Sequence, residues 1–375
     1  MTARKAPTRL AIAGGAPAGL SAAMSAARAG LPCVLFEKGR IGQGIQCAEG
    51  IFDPAGLIPL DREVIRTRIR RAVLRVRGQE FSFGLGARNR FYVIDRSAWQ
   101  EALGRRVRAA GVEVREQSPV RPEALLADFD AVIDARGAFA YYDHWEELPR
   151  RPGFGVQWTL AGDFSRWRDA IDVEIFAEQP AYFWIFPKGT TAAHVGFGCL
   201  DKPASAYWDI LEGYLRRQGI DGCERVRKIG GFLVGVAPVD AIEGRLIRVG
   251  DAGGFASALH GGGIDAAWLT GRLAVESIAR QDPAHFYREL NRKLGFLRQV
   301  EQKVFDKWQA EGAVALAKAG RLLAENGPLL RASVRFVTSG ILGAAVRRVF
   351  QQAVPREFYF PPTEFGTRKS VIGPD

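Results

Sequence analysis

Between Arg9 and Glu37 the chain leaves few options. Arg9-Leu10-Ala11-Ile12-Ala13 is a short apolar run, and Gly14 to Gly19 is a glycine-rich turn. Leu20 to Ala29 is rich in alanine, Gly30 stands where a helix would be capped, and Pro32 to Phe36 is a second apolar run that stops at Glu37. Continuous apolar runs of this length suit strands buried on both faces, and the alanine-rich segment suits the crossover helix between them. Strand, turn, helix and strand in about thirty residues make a βαβ unit, which commits the sheet around it to be parallel and the domain to be α/β.

The turn, Gly14-Gly15-Ala16-Pro17-Ala18-Gly19, has the form of a dinucleotide fingerprint. There the first glycine makes the turn, the second lets backbone N–H groups approach a pyrophosphate, and the third lets helix and sheet pack closely. The helix N-terminus adds a partial positive charge. Glu37 would accept from ribose hydroxyls, with Lys38 beside it. One position departs from the pattern: Ala16 occupies the second glycine position and Gly15 stands one place earlier, so a methyl group could crowd the phosphates. Without a second motif, the same residues also describe a plain tight turn between strand and helix.

A second motif lies more than 230 residues later. Arg248-Val249-Gly250-Asp251-Ala252-Gly253-Gly254 is a strand end with an Asp and a glycine turn. Leu259-His260-Gly261-Gly262-Gly263-Ile264 then opens a helix on which Ile264, Trp268, Gly271, Val275 and Ile278 recur at helical spacing. An Asp at a strand end can hold a polyol, and a glycine-rich helix start can face an electron-rich ring edge. Between the motifs, Asp95 to Ala110 reads as a helix and Asp130-Ala131-Val132-Ile133 as another buried strand. Phe154 to Pro238 is rich in aromatics and strand-like runs, with one helix near Ser205 to Arg217.

Together the two motifs resemble the two FAD-binding segments of glutathione-reductase-type flavoproteins, in the branch built like para-hydroxybenzoate hydroxylase. A third motif narrows the family. Tyr182-Phe183-Trp184-Ile185-Phe186-Pro187-Lys188-Gly189, followed by His194-Val195-Gly196-Phe197-Gly198, resembles the YxWxFPKG…NVGxG signature of geranylgeranyl reductases. Gln46-Cys47-Ala48-Glu49-Gly50-Ile51 resembles their CAEG loop, and Gly155-Val156-Gln157-Trp158 fits the same family.

The resemblance implies a Rossmann-like FAD-binding domain of the glutathione-reductase type, made of residues 1–65, 91–150 and 242–285. An inserted antiparallel β-sheet substrate domain would span 66–90 and 151–241, and a helical C-terminal segment 286–375. FAD would contact Gly14, Ala16, Pro17, Ala18, Gly19, Glu37, Lys38, Cys47, Ala48, Arg96, Gly137, Asp251, Gly261, Gly262, Gly263 and Ile264. Tyr182, Trp184, Phe186 and Pro187 would shape the substrate wall, although alternating aromatics on a strand are also ordinary core packing. Cys47 and His260 are the candidates for catalysis, with Cys47 also readable as a small buried residue. The implied activity is reduction of C=C bonds in a prenyl or polyisoprenoid lipid by hydride from reduced flavin. The alternative is an FAD-dependent monooxygenase or halogenase acting on an aromatic or carrier-bound substrate. A flavin-free scaffold has Ala16 as its only support. Arg136 stands where many flavin hydroxylases carry an Asp, so the electron donor, NAD(P)H or a ferredoxin-like protein, stays open.

Composition excludes more than it selects. With 47% hydrophobic and 25% charged residues the chain is ordinary and globular, and its 43 glycines fit tight turns. The net charge of +11 raises nucleic acid, membrane surface or anionic ligand as partners, but the arginines are dispersed and no nucleic-acid module accompanies them, so nucleic acid is not expected. The four cysteines form no CxxC pair and no zinc-like cluster, so no metal is expected. With no secretory signal and no apolar run long enough to span a bilayer, a cytoplasmic location is expected. Phe336 to Val346, flanked by Arg335 and Arg347-Arg348, could lie on the inner membrane surface or pack on the domain. The tail after Pro355 reads as irregular.

Overall fold

The computed structural model describes residues 8–53, 56–86, 89–141, 153–176, 180–199, 205–233 and 241–325. The apolar segment 336–346 and the tail after Pro355 lie outside the described residues.

In chain order the strands are β1 Leu10–Ala13, β2 Cys33–Phe36, β3 Gly50–Phe52, β4 Ile65–Arg68, β5 Arg71–Val76, β6 Gln79–Gly84, β7 Phe91–Ile94, β8 Glu113–Arg115, β9 Ala131–Asp134, β10 Gly153–Ala161, β11 Ala170–Ile175, β12 Ala181–Pro187, β13 Ala192–Cys199, β14 Glu224–Leu233, β15 Ile242–Glu243 and β16 Leu246–Arg248. The helices are α1 Pro17–Arg28, α2 Arg96–Ala109, α3 Pro122–Leu125, α4 Ala206–Gln218, α5 Ile264–Arg280, α6 Pro283–Leu290, α7 Phe296–Glu311 and α8 Ala313–Glu325.

The continuous apolar runs become the inner strands of a six-stranded sheet in the order β15-β16-β9-β1-β2-β8. Every residue of β1, β2 and β9 is buried, as strands covered on both faces require. Leu10 pairs in parallel with Cys33 on one side and with Ala131 on the other. From β1 the chain proceeds outward to β2 and β8, then returns to the other flank of β1 through β9 and β16. The strand order therefore reverses between β1 and β9. In open α/β sheets, the crevice at the carboxyl ends of such a pair is where ligands bind.

Helices α1 and α5 cover one face and share a core with Leu35, Trp99, Ile133 and Phe286. They cross at contact distance. A Cβ on Gly271 would lie 2.1 Å from the Ala18 carbonyl oxygen, and Ser21 Oγ donates to the Trp268 carbonyl at 2.6 Å.

The alternating aromatic runs become a seven-stranded sheet, β14-β10-β13-β12-β11-β5-β6, antiparallel except where β11 runs parallel to β5. Helix α4 lies on one face, with Tyr214 stacked on Phe183 at 4.3 Å between ring centroids. The sequence reading groups 66–90 as one piece of this sheet, but β4 instead joins β3 and β7 in a three-stranded sheet. The chain changes sheets at Ile69–Arg70: Ile69 N–H donates to Phe91 O, and Arg70 N–H to Asp169 O. Helices α7 and α8 close the other face of β5, β6 and β11 through Val76, Ile175, Phe305, Trp308 and Leu316.

Candidate functional site

The crevice at the β1/β9 switch point is built by the first glycine turn. Gly14 has φ +113, a conformation suited to glycine, and a Cβ there would lie 2.4 Å from the Ala135 carbonyl oxygen. A Cβ on Gly19 would lie 1.8 Å from the Gly14 carbonyl oxygen, so neither position tolerates a side chain. Ala16 is the N-cap of α1 and Pro17 its first residue; no side chain caps the helix. Ala18 and Gly19 follow in the first turn, where N–H groups have no acceptor one turn back. Glu37 closes the loop from the end of β2, accepting from Gly15 N–H at 2.7 Å and Gly39 N–H at 2.9 Å. Its carboxylate thus holds the turn itself, in addition to any role toward a ligand. Lys38 is exposed beside it, and burial of its stem pulls its ammonium pKa down.

The second glycine turn lands on the first. Gly250 lies against Ala18, and its N–H donates to Thr270 Oγ1 of α5 at 2.9 Å. Asp251, the next residue, lies recessed with Gly263 close by, and its carboxylate accepts no hydrogen bond among the described residues. Burial pushes its pKa up to about 6, against the opposing pull of Arg96 at the start of α2. Arg96 Nε itself donates to Gln100 Oε1 at 2.9 Å. Gly137 follows Arg136 with open space above it. Arg136 is engaged twice with the buried carboxylate of Asp134, at 2.9 Å each. Gly261, Gly262, Gly263 and Ile264 lead into the uncapped start of α5.

Both ring nitrogens of His260 are engaged, although the side chain is 46% exposed. Its Nδ1 accepts from Gly262 N–H at 3.1 Å, its Nε2 lies 3.2 Å from Glu301 Oε1, and its carbonyl accepts from Tyr182 Oη at 2.8 Å. Glu301 continues to Arg298 at 2.8 Å, and Arg298 to Asp265 at 2.9 Å. Burial raises the Glu301 pKa, but His260 and Arg298 outweigh it and bring the carboxyl down to about 2. This chain of charges locks the glycine loop to α7, a connection absent from the sequence reading. These contacts tie His260 to its own loop and, through Glu301, to α7.

Opposite the loop stands β12. Tyr182, Trp184 and Phe186 share the face turned away from α4. Tyr182 reaches His260, and Trp184 Nε1 donates to Gln157 Oε1 at 3.0 Å. Phe186 lies against Gly50, and Pro187 ends the strand. A narrow crevice lined by Tyr182, Leu259, Gly261, Phe305 and Trp308 separates β12 from the glycine loop.

The Cys47–Gly50 loop adjoins this wall. Cys47 and Ala48 are half-buried. Cys47 Sγ accepts from Glu49 N–H at 3.2 Å, and its carbonyl accepts from Gln157 Nε2 at 3.2 Å. Glu49 is buried in a left-handed conformation, φ 61, with Lys188 Nζ at 2.6 Å and His194 Nε2 at 3.1 Å. Sequence reasoning missed Glu49, Lys188 and His194 as a unit. The signal was present in the third motif, whose Lys188 and His194 flank one turn, but nothing in the sequence couples them to a loop 139 residues earlier. Among the described residues no cluster of His, Cys, Asp and Glu could hold a metal ion, and no helix is long and apolar enough to cross a membrane.

No family model matches the chain. It is 30% identical over 317 residues to the digeranylgeranylglycerophospholipid reductase 2 of Methanothermobacter thermautotrophicus, a match covering 71% of this chain and 77% of that one. A geranylgeranyl bacteriochlorophyll reductase-like protein from Thermoplasma acidophilum has the same fold, with a TM-score of 0.65 at 20% identity over 93% of this chain and 97% of that one. A flavin-dependent brominase follows at a TM-score of 0.64 and 16% identity, covering 92% of this chain and 99% of that one.

Proposed function

This chain belongs to the family of the digeranylgeranylglycerophospholipid reductases, the geranylgeranyl reductase family, and from that premise we propose that it is an FAD-dependent reductase saturating C=C bonds of a prenyl lipid. One observation carries the reading. Two glycine turns far apart in sequence meet where Gly250 lies against Ala18; the next residue, Asp251, is a recessed carboxylate without a hydrogen-bond donor, and the loop that follows it lines an apolar crevice with Tyr182, Phe305 and Trp308.

The residues present fit FAD. The uncapped N-terminus of α1 and the Gly14–Gly19 turn would take the pyrophosphate. Asp251 would accept from hydroxyl groups of the ribityl chain, which is the partner its carboxylate lacks. Arg96 would balance the phosphates, and Gly261 to Gly263 would run along the ring. Bound and reduced, FAD supplies the hydride for the alkene.

The chain's own part is alignment and exclusion of water. Tyr182 holds the glycine loop through the His260 carbonyl, and Trp184 is fixed by Gln157, so the wall keeps its shape while an apolar chain lies against it. Cys47 is the proposed proton source: its thiol is half-exposed, and its loop is clamped by Glu49, Lys188 and Gln157. The electron donor is a nicotinamide or a small redox protein. The Asp134–Arg136 pair argues against hydroxylation driven by NADPH, because the position that would serve it is spent on a buried ion pair. Peripheral contact with a membrane is proposed as the route by which a lipid substrate arrives.

Mass spectrometry of what copurifies tests the reading. FAD together with a prenyl lipid is the expected extract. A colourless preparation that FAD does not reconstitute contradicts it.

A further inference from the structure

His194 is a buried titratable group in the sheet that carries the proposed substrate wall, and its neighbours fix where its proton sits. Strands β10, β13 and β12 lie side by side, and Gln157, Gly196 and Trp184 pair in one row across them. Thr159, His194 and Phe186 form the next row on the same face. Gly196 carries no side chain, and a Cβ there would lie 2.2 Å from Trp184 Cζ2. The indole therefore crosses β13, and its Nε1 donates to Gln157 Oε1 at 3.0 Å.

Two groups with fixed roles orient the Gln157 amide. An indole N–H can only donate and a carbonyl oxygen can only accept. Trp184 therefore takes the amide oxygen, and the Cys47 carbonyl takes one hydrogen of Nε2 at 3.2 Å. The second Nε2 hydrogen is left for His194 Nδ1, at 3.1 Å. The hydroxyl of Thr159 lies 3.0 Å from the same nitrogen and can donate as well. Nδ1 is thus an acceptor, and a neutral ring carries its one proton on Nε2, which lies 3.1 Å from Glu49 Oε2. A proton gained at Nδ1 would face the amide hydrogens. If the amide turned to receive it, Gln157 would set its oxygen against the Cys47 carbonyl and its N–H against that of Trp184. One proton therefore breaks two hydrogen bonds.

We propose that His194 is a positioning residue for the reduction: in its neutral Nε2–H form it keeps Gln157 turned so that one amide ties the Cys47 loop to Trp184. The proposal rests on the reductase reading, in which Trp184 shapes the wall and Cys47 supplies the proton, and it adds the regulation of that site by pH. Burial pulls the His194 pKa below its ordinary value; Glu49 of the Cys47 loop opposes this, while Lys188 at the end of β12 and Arg227 of β14 assist it. The neutral form accordingly holds at neutral pH, and the clasp opens as pH falls through the lowered value. In the geranylgeranyl reductase signature, asparagine stands where this chain has His194. An asparagine oxygen can accept from Gln157 without titrating, so the histidine makes the clasp sensitive to acid in this chain.

Long-range proton–nitrogen correlation NMR of the full-length holoprotein, isotope-labelled at its four histidines, reads the ring state directly, and H194N identifies the signal. The wild type is expected to show the neutral Nε2–H tautomer at neutral pH. Gln157→Glu, which has no N–H to offer, is expected to draw a proton to Nδ1. An Nδ1–H tautomer or an imidazolium in the wild type at neutral pH overturns the proposal, as does an unmoved tautomer in Q157E. Calorimetric titration with geranylgeraniol, with FAD held saturating, reads the consequence. The wild type is expected to lose about tenfold in affinity as His194 protonates, and H194L about tenfold at every pH. H194N is expected to recover the affinity that H194L loses and to lack the acid effect. An acid effect that persists in H194N overturns the proposal, as does H194L binding as tightly as the wild type. Circular dichroism checks the fold of each variant, and where H194L unfolds, H194N and Q157E decide. Reduction is read separately: a wild type with the tautomer and the acid effect that reduces no alkene counts against the reductase reading and leaves the clasp standing.

Discussion

Replacing Glu49 by Gln tests how the Cys47 loop is held. The Glu49 carboxylate is 7% exposed, Lys188 is 21% exposed, and the two are 2.6 Å apart. Removing one partner of a buried pair costs about 3–5 kcal/mol, because the other charge stays desolvated. Lys188 keeps some water, so the low end, about 3 kcal/mol, applies. At roughly 2 °C per kcal/mol for a chain of this size, Tm falls by about 6 °C. The loss also depends on pH. Burial raises the Glu49 pKa, but His194 and Lys188 together outweigh it and hold the carboxyl below its ordinary range. A lowered folded-state pKa gives stability that is present above the unfolded value and lost as pH falls through the folded one. The gap between wild type and E49Q is therefore full at neutral pH and closes in acid. Differential scanning calorimetry at fixed scan rate, at neutral and acid pH, measures it. Equal Tm at neutral pH, or a gap that widens in acid, refutes the clamp.

Three further outcomes follow from the same geometry. Gly271→Ala puts a methyl 2.1 Å from the Ala18 carbonyl oxygen, so α5 must move off α1. About 1–3 kcal/mol of stability and most of the FAD content are expected to go, read by Tm and by flavin absorbance; full FAD content contradicts the packing. The Asp251 carboxyl stands at about 6 without ligand, and hydroxyl donors favour its ionised form. FAD affinity is thus highest above that pH and falls by up to about tenfold per unit below it, a slope that D251N removes. A flat pH profile in the wild type contradicts this role. Tyr182→Phe removes the donor to the His260 carbonyl, a loss of about 1 kcal/mol that should raise KM for the lipid more than it lowers FAD content. Equal effects on both would assign Tyr182 to the loop alone.

The parts of the molecule that were legible in the sequence are those whose signal is local. The first βαβ unit is readable because continuous apolar runs, an alanine-rich helix and tight glycines all lie within thirty residues. Asp251 is readable because a strand end, a carboxylate and a glycine turn are adjacent. Arg298 and Glu301 are not, since an i, i+3 charge pair on a helix reads as a solvated face until Asp265 and His260 are brought against it. Glu49 is hidden twice: its partners are far away in sequence, and a left-handed glutamate has no local signature. The three-stranded sheet escaped notice because β3 has three residues and β4 breaks register between Ile65 and Thr67, which leaves no sustained alternation to detect. The role of 286–325 emerged only when α7 met the glycine loop and α8 met β6.

The central claim is that this chain transfers hydrogen to an isolated alkene. The direct measurement is a single-turnover reaction under anaerobic conditions, with photoreduced holoprotein and a geranylgeranyl lipid, followed by mass spectrometry of the product. The account predicts flavin reoxidation without oxygen and a product heavier by two hydrogens for each double bond reduced. A flavin that stays reduced until oxygen is admitted, with an aromatic substrate then hydroxylated or halogenated, contradicts it.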